Sequence, residues 1–336
     1  MKIQSKHRRR LSEKEISVAR GPFMRPSAKA KVTQKARQIA SSFRKANEGR
    51  GLRIFVAGGS RSGNDPIYEE EAYRLGEKIA QMNFRLDFGL SGHGIMGAVA
   101  KGMLAVWGQA HTEGHIPIKG ITTKEYMALT QKDEVVNQVK DVIVAHTLEE
   151  RKNQLLRADF VIFAPGGLGT LDELVYDCVA MQDGFLPLKP FIIFNVDGHY
   201  HHVLEYLKEI HLKGFSAQTP FIVVDDSFEA GVAFEVLKEA YQAPPDKEKV
   251  YDFVQQIIYE LPYILEQKLE HPSLSVAKIR AEMTQKSEAL AHAVEKAYLR
   301  KEIDRMYGRL ERTGHDTAVV SEKLSGLKAQ RKKVLT

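Results

Sequence analysis

Seven short apolar runs, most of them separated by stretches of helical periodicity, constrain this chain more than any other feature. They fall at 52–57 (LRIFVA), 84–88 (FRLDF), less distinctly near 110–118, then at 141–145 (DVIVA), 160–164 (FVIFA), 191–194 (FIIF) and 221–224 (FIVV). Runs without polar alternation suit strands covered on both faces, and alternation with amphipathic helices implies a parallel sheet. Right-handed crossovers then predict a doubly wound, Rossmann-like α/β sheet. One helix is expected to begin at Pro66, with Ala72, Leu75, Ile79 and Ala80 on its apolar side, and a second to run from the glycines at 92–97 to about Trp107.

After about residue 240 the strand signals stop. Val250–Leu269 reads as a helix interrupted at Pro262, and residues 274–334 as a charged, mostly helical stretch with breaks at Gly308 and Gly314. Its stripe of Leu290, Ala293, Val294, Ala297 and Tyr298 requires a partner surface, on the main domain or on another subunit. The chain therefore divides into a basic arm and helix (1–50, with an amphipathic stretch at 28–47), a Rossmann-like domain (51–243) and a helical extension (244–336). The arm carries 15 of the 49 Lys and Arg against three Glu, so the net charge of +6 comes from the arm and not from the globular part. It is read as a solvated tail in preference to a nucleic-acid contact, because a charge run alone is weak grounds for one. One cysteine, Cys178 on an apolar helix face, excludes an internal disulfide. With neither an 18-residue apolar span nor a signal-peptide pattern, the expectation is a cytoplasmic protein without a membrane contact.

The fifth run leads into PGGLGTLDE, Pro165 to Glu173, and then a helical pattern. Glycines let the backbone approach a ligand, and the helix start presents unpaired N–H groups at the positive end of its dipole. Gly166, Gly167, Gly169 and Thr170 thus read as a phosphate cradle, with Glu173 beside it in the first helical turn. Ligands of such sheets sit beyond the carboxyl ends of the strands. Three more loops fall there: Gly58 to Ser60, Ser91 to Gly94, and Thr147 to Arg151. With the fourth and fifth strands as near neighbours, Arg151 and Glu173 would meet over one pocket. Each has a plainer reading. Thr170 to Glu173 and Thr147 to Glu150 both fit the capping box, Arg151 and Lys152 fit a solvated helix face, and His93 fits an ordinary loop position. Gly92 to Gly97 also spells G-x-G-x-x-G, but after the second strand and with Glu113 poorly placed for a ribose.

Together these stretches resemble the LOG (lonely guy) family, often mislabelled lysine decarboxylase. Pro165 to Glu173 fits its PGGxGTxxE signature. Gly58 to Tyr68 (GGSRSGNDPIY) resembles GSSSGNxPxY, Gly94 to Gly97 resembles GLMG, Glu150–Lys152 resembles the end of MxxRK, and Asn195 to Tyr200 (NVDGHY) resembles NVDGYY. The likeness spans roughly residues 52–240. It departs from the pattern at Leu148, where MxxRK has Met, and at Gly89-Leu90-Ser91, where the family has three glycines.

The resemblance implies hydrolysis of the N-glycosidic bond of a nucleoside 5′-monophosphate, AMP or a cytokinin riboside monophosphate, to free base and ribose 5-phosphate. It implies Arg151 and Glu173 as catalytic residues, and Gly59, Ser60, Gly92, His93, Lys152, Gly166, Gly167, Gly169 and Thr170 as the substrate and phosphate contacts. No metal or other cofactor is required, and a homodimer or higher homo-oligomer is expected. No motif for a pyridoxal-phosphate lysine accompanies it. The alternative is a carrier of the same fold that holds a nucleotide or molybdenum cofactor without hydrolysing it.

Overall fold

A computed structural model describes residues 52–110, 116–130, 133–183, 185–186, 189–217, 219, 221–242, 250–283 and 288–312. The N-terminal arm, the helix expected at 28–47, Glu113 and Gly314 lie outside them. In chain order the elements are β1 (Arg53–Ala57), α1 (Ile67–Gln81), β2 (Arg85–Phe88), α2 (Gly94–Ala110), β3 (Ile118–Thr123), α3 (Lys124–Thr130), α4 (Glu134–Gln138), β4 (Asp141–Ala145) and α5 (Leu148–Leu155). They continue with β5 (Phe160–Phe163), α6 (Leu168–Gln182), β6 (Phe191–Phe194), α7 (His201–Leu212), β7 (Phe221–Val224), α8 (Ser227–Gln242), α9 (Val250–Glu270), α10 (Val276–Met283) and α11 (Glu288–Arg312).

The strands form one parallel sheet in the order β4-β3-β2-β1-β5-β6-β7. Successive residues of a strand point to opposite faces, and β1 feeds two separate cores. Ile54 and Val56 join Leu75, Val99, Phe160 and Phe234 on the side of α1, α2 and α8, whereas Phe55 and Ala57 join Leu155, Phe163, Leu174 and Met181 under α5 and α6. This is the doubly wound α/β architecture that the apolar runs predict. Strand order reverses between β1 and β5, so the switch point lies there.

Four expectations need correction. The third strand is Ile118–Thr123 and not 110–118. Lys119, Gly120, Thr122 and Thr123 dilute its apolar signal, and α2 runs on to Ala110. The fourth and fifth strands are not neighbours, since β3, β2 and β1 lie between them. Pro262 sits inside an unbroken α9. Its lost hydrogen bond is offset by burial of Leu261, Ile264 and Leu265. Likewise α11 continues through Gly308. The C-terminal stripe finds its surface within the chain: Val294 and Ala297 are buried where α11 packs along α9.

Candidate active site

At the switch point the loops after β1 and β5 are tied together, the Gly59 amide donating to the Pro165 carbonyl at 3.0 Å. Gly166 has no room for a side chain: a Cβ there would stand 2.2 Å from Thr170 Oγ1 and 2.9 Å from the Gly59 nitrogen. Gly167 is the N-cap of α6, and the Leu171 amide makes a helical bond to its carbonyl at 3.1 Å. The amides of Leu168, Gly169 and Thr170 come before that bond and have no intrahelical partner. Gly167, Leu168 and Gly169 are exposed, and no acidic residue occupies the first turn of α6. An anion can reach this helix start without meeting a fixed negative charge.

Glu173 is the sixth residue of α6, in the second turn and not the first as the sequence suggested. Thr170 is the third helical residue, so Thr170 to Glu173 is not a capping box. The other candidate box does cap its helix. Thr147 Oγ1 accepts the Glu150 amide at 3.0 Å, and Glu150 accepts the His146 amide at 2.8 Å.

Arg151 and Glu173 do meet, by a route the sequence reading did not foresee. After edge strand β4, α5 folds back over β3 and aims Arg151 inward. Arg151 Nε donates to the Ile121 carbonyl at 3.0 Å, and Nη2 lies 3.5 Å from the Gly89 carbonyl. A Cβ on Gly89 would come within 2.2 Å of Nη2, so glycine there clears the path of the guanidinium. Arg151 Nη1 and Glu173 Oε1 are 3.7 Å apart, with the two side chains only 12% and 14% exposed. That is an ion pair at a distance longer than a direct hydrogen bond. Burial pushes the Glu173 carboxyl up to about 7, with Arg151 opposing and the charges of Asp172 and Asp177 reinforcing the rise. Burial likewise pulls the Arg151 pKa down despite Glu173. A carboxyl held closer to neutrality than in water is common where a proton is to be moved.

The remaining predicted residues divide. Lys152 Nζ is 2.8 Å from Asp172 and lies over the Tyr176 ring at 4.6 Å, beside the start of α6. Gly59 belongs to the loop junction and Ser60 is exposed next to it. The Gly92 amide donates to Asp133 Oδ2 at 2.8 Å, and the largely exposed His93 ring stands 3.6 Å from the same oxygen. That carboxylate, fixed also by the Val135 and Val136 amides, takes up the Gly92 amide that a G-x-G-x-x-G turn would offer to a pyrophosphate, so this loop does not suit a dinucleotide.

Sequence reasoning missed His199, Tyr200 and Asp133 at this edge, and Asp177 farther along α6. His199 Nε2 lies 3.2 Å from the Gly166 nitrogen and 3.0 Å from its oxygen, and the Tyr200 hydroxyl donates to the Ala164 carbonyl at 2.7 Å. The NVDGHY stretch was the available signal. Asp177 lies one turn beyond Glu173 on α6, fully buried, 3.7 Å from the buried Lys189. Burial raises its carboxyl to about 6 against the pull of Lys189.

Fold and site define a doubly wound α/β protein with an exposed glycine-rich helix start at its switch point and a buried carboxylate–guanidinium pair beside it. The chain belongs to the LOG family. A family model described as "Possible lysine decarboxylase" matches residues 96–231. Cytokinin riboside 5′-monophosphate phosphoribohydrolase LOG7 of Arabidopsis thaliana is 32% identical over 214 residues, 62% of this chain and 91% of the relative. LOG3 of the same plant is 31% identical over 199 residues, 59% and 86% of the two chains. Among solved structures, a molybdenum cofactor carrier protein of Chlamydomonas reinhardtii aligns with 57% of this chain and 99% of its own, at 18% identity and a TM-score of 0.41. Among the described residues no helix is long and apolar enough to cross a membrane.

Proposed function

We propose that this protein hydrolyses the N-glycosidic bond of nucleoside 5′-monophosphates, releasing free base and ribose 5-phosphate. The observation that carries this reading is the pairing of an anion-accepting helix start with a buried carboxylate of pKa about 7 on the next turn of the same helix. The relatives named for this activity give its substrate class. The phosphate docks on the first amides of α6 and in the glycine loop, with Lys152 alongside. That grip fixes the ribose and supplies binding energy for distortion at C1′. Bond cleavage builds positive charge on the ribose ring, as in glycoside hydrolysis. Ionised Glu173 stabilises that charge and takes a proton from the attacking water, whose oxygen bonds to C1′ as the C1′–N bond breaks; the base leaves with that electron pair and takes up a proton, which regenerates the carboxylate. Arg151, held by the Ile121 and Gly89 carbonyls, orients Glu173 and favours its ionised form. Burial opposes that ionisation most strongly, with Asp172 and then Asp177 adding to it, and the balance leaves the carboxyl at about 7.

The active form is a homodimer in this reading. Leu168 (85% exposed), Val175 (45%) and Val179 (50%) form one apolar stripe along α6, starting at the open cradle. A second copy of the chain would cover the stripe and wall the cradle from solvent.

The test is incubation with AMP and with isopentenyladenosine monophosphate, followed by chromatography for free base and ribose 5-phosphate. Equimolar release of both products is expected. Intact nucleotide after prolonged incubation, with tight binding retained, would instead favour a carrier.

A further inference from the structure

The NVDGHY stretch has no task in the proposed chemistry, yet it touches the cradle from behind. Asn195, buried at the end of β6, accepts the Tyr200 amide on Oδ1 at 2.9 Å. The Tyr200 hydroxyl holds the Ala164 carbonyl, and its ring packs edge-on against His199, 4.9 Å between centroids, which in turn contacts Gly166. On its other side Asn195 Nδ2 donates to Asp225 Oδ1 at 3.1 Å, at the end of β7. The chain of contacts then leaves the sheet. Asp225 Oδ2 is 3.0 Å from Lys301 Nζ and 3.3 Å from Arg305 Nε, both on α11. Lys301 also pairs with Glu229, whose carboxylate accepts the Asp225 amide at 3.0 Å, and Arg305 Nη2 donates to the Val223 carbonyl at 2.6 Å.

Two mostly buried carboxylates, Asp225 and Glu229, are thus balanced by two cations from a helix well beyond residue 231, where the family match ends. Burial opposes ionisation of Asp225, but Arg305, Lys301 and the Asn195 hydrogen bond hold its carboxyl below the ordinary range. Without the cations, two neighbouring carboxylates would share a poorly solvated site, and one would take a proton or turn away. Asp225 would then release Asn195, and Asn195 would release Tyr200.

We propose that Lys301 and Arg305 are positioning residues for the candidate active site: through Asp225, Asn195 and Tyr200, helix α11 holds the phosphate cradle in register. This rests on the phosphoribohydrolase reading given above. The end of the relay is a backbone carbonyl one residue before Pro165, so its loosening weakens the phosphate grip more than the chemistry at C1′.

The test uses the full chain with Lys301→Ala/Arg305→Ala, the milder Arg305→Gln, the charge-preserving Lys301→Arg/Arg305→Lys, and the control Arg280→Ala, which breaks an α10–α9 ion pair outside the relay. With the monophosphate that the wild type hydrolyses, the double alanine variant should lose kcat/KM tenfold or more, chiefly through a raised KM. Arg305→Gln should move in the same direction by threefold or more. The charge-preserving pair should stay within threefold of wild type and Arg280→Ala within twofold. Wild-type KM in both Arg305→Gln and the double alanine variant would overturn the proposal, as would an equal loss in Arg280→Ala. Amide exchange reads the relay without catalysis: protection across 164–170 should fall in the double variant while β1 keeps its own. If the wild type releases base from no monophosphate, the hydrolase reading fails, and the exchange comparison still decides the relay.

Discussion

Glu173 is the residue on which the proposed chemistry turns, and its environment makes two outcomes predictable. Its carboxyl titrates near 7 because burial outweighs Arg151, with Lys152 also favouring the ion, Asp172 and Asp177 opposing it, and Tyr200 packed nearby. As the group must be ionised to act as a base, kcat/KM should rise with pH and level off above about 7. A flat profile between pH 5 and 8 would count against it. The second outcome concerns stability. The folded pKa lies above the ordinary glutamate value of 4.5, so the folded state binds the proton more tightly. Stability from this group is full below about 4.5 and is lost as pH rises towards 7. Glu173→Gln should therefore be more stable than wild type at pH 8, by on the order of 1–3 kcal/mol, and the gain should vanish near pH 4. Paired denaturant melts at the two pH values measure this. A Glu173→Gln variant that is less stable at pH 8 would mean that loss of the buried ion pair with Arg151 outweighs relief from burying the carboxylate.

At the scale of elements, the start of α6 separates two kinds of glycine. Gly166→Ala would drive a methyl into Thr170 and the Gly59 backbone, so it should weaken both fold and phosphate binding, costing about 1–3 kcal/mol in thermal melts. Around Gly169 a Cβ meets nothing, and Ala is the better helix former by about 1 kcal/mol. Gly169→Ala should therefore fold at least as well as wild type, and any rise in its KM reports crowding of the ligand itself. The strand–glycine–helix unit was legible in sequence because its apolar run and its helical pattern are both local. The third strand was not, since Gly120 and Thr122 look polar until Leu90 is seen packing over Gly120. Leu90 itself adopts a positive φ of 61°, where the family pattern has glycine, a local strain offset by its burial. The unexpected approach of Arg151 has the same origin: strand order is a long-range property, and only the order β4-β3-β2-β1-β5 shows α5 crossing back over the sheet.

For the whole molecule, the sequence showed that the C-terminal stripe needed a surface but could not say which. The structure seats α9 and α11 at the sheet's own edge, where ion pairs from α11 reach Asp225 at the end of β7. Among the described residues, the stripe on α6 is left uncovered. Light scattering should therefore give twice the mass of one chain, and Val175→Asp/Val179→Asp should shift the protein toward monomer. A monodisperse wild-type monomer at micromolar concentration would remove the dimer from the account.

The central claim is that one turn of α6 binds the sugar phosphate while the next presents the acid that works at the anomeric carbon. The most direct measurement is free base released from a saturating nucleoside 5′-monophosphate by wild type and by Glu173→Gln at pH 8. The account predicts a loss of roughly 10²–10⁴-fold in kcat with KM changed by no more than a few fold. Turnover by Glu173→Gln at the wild-type rate would contradict it.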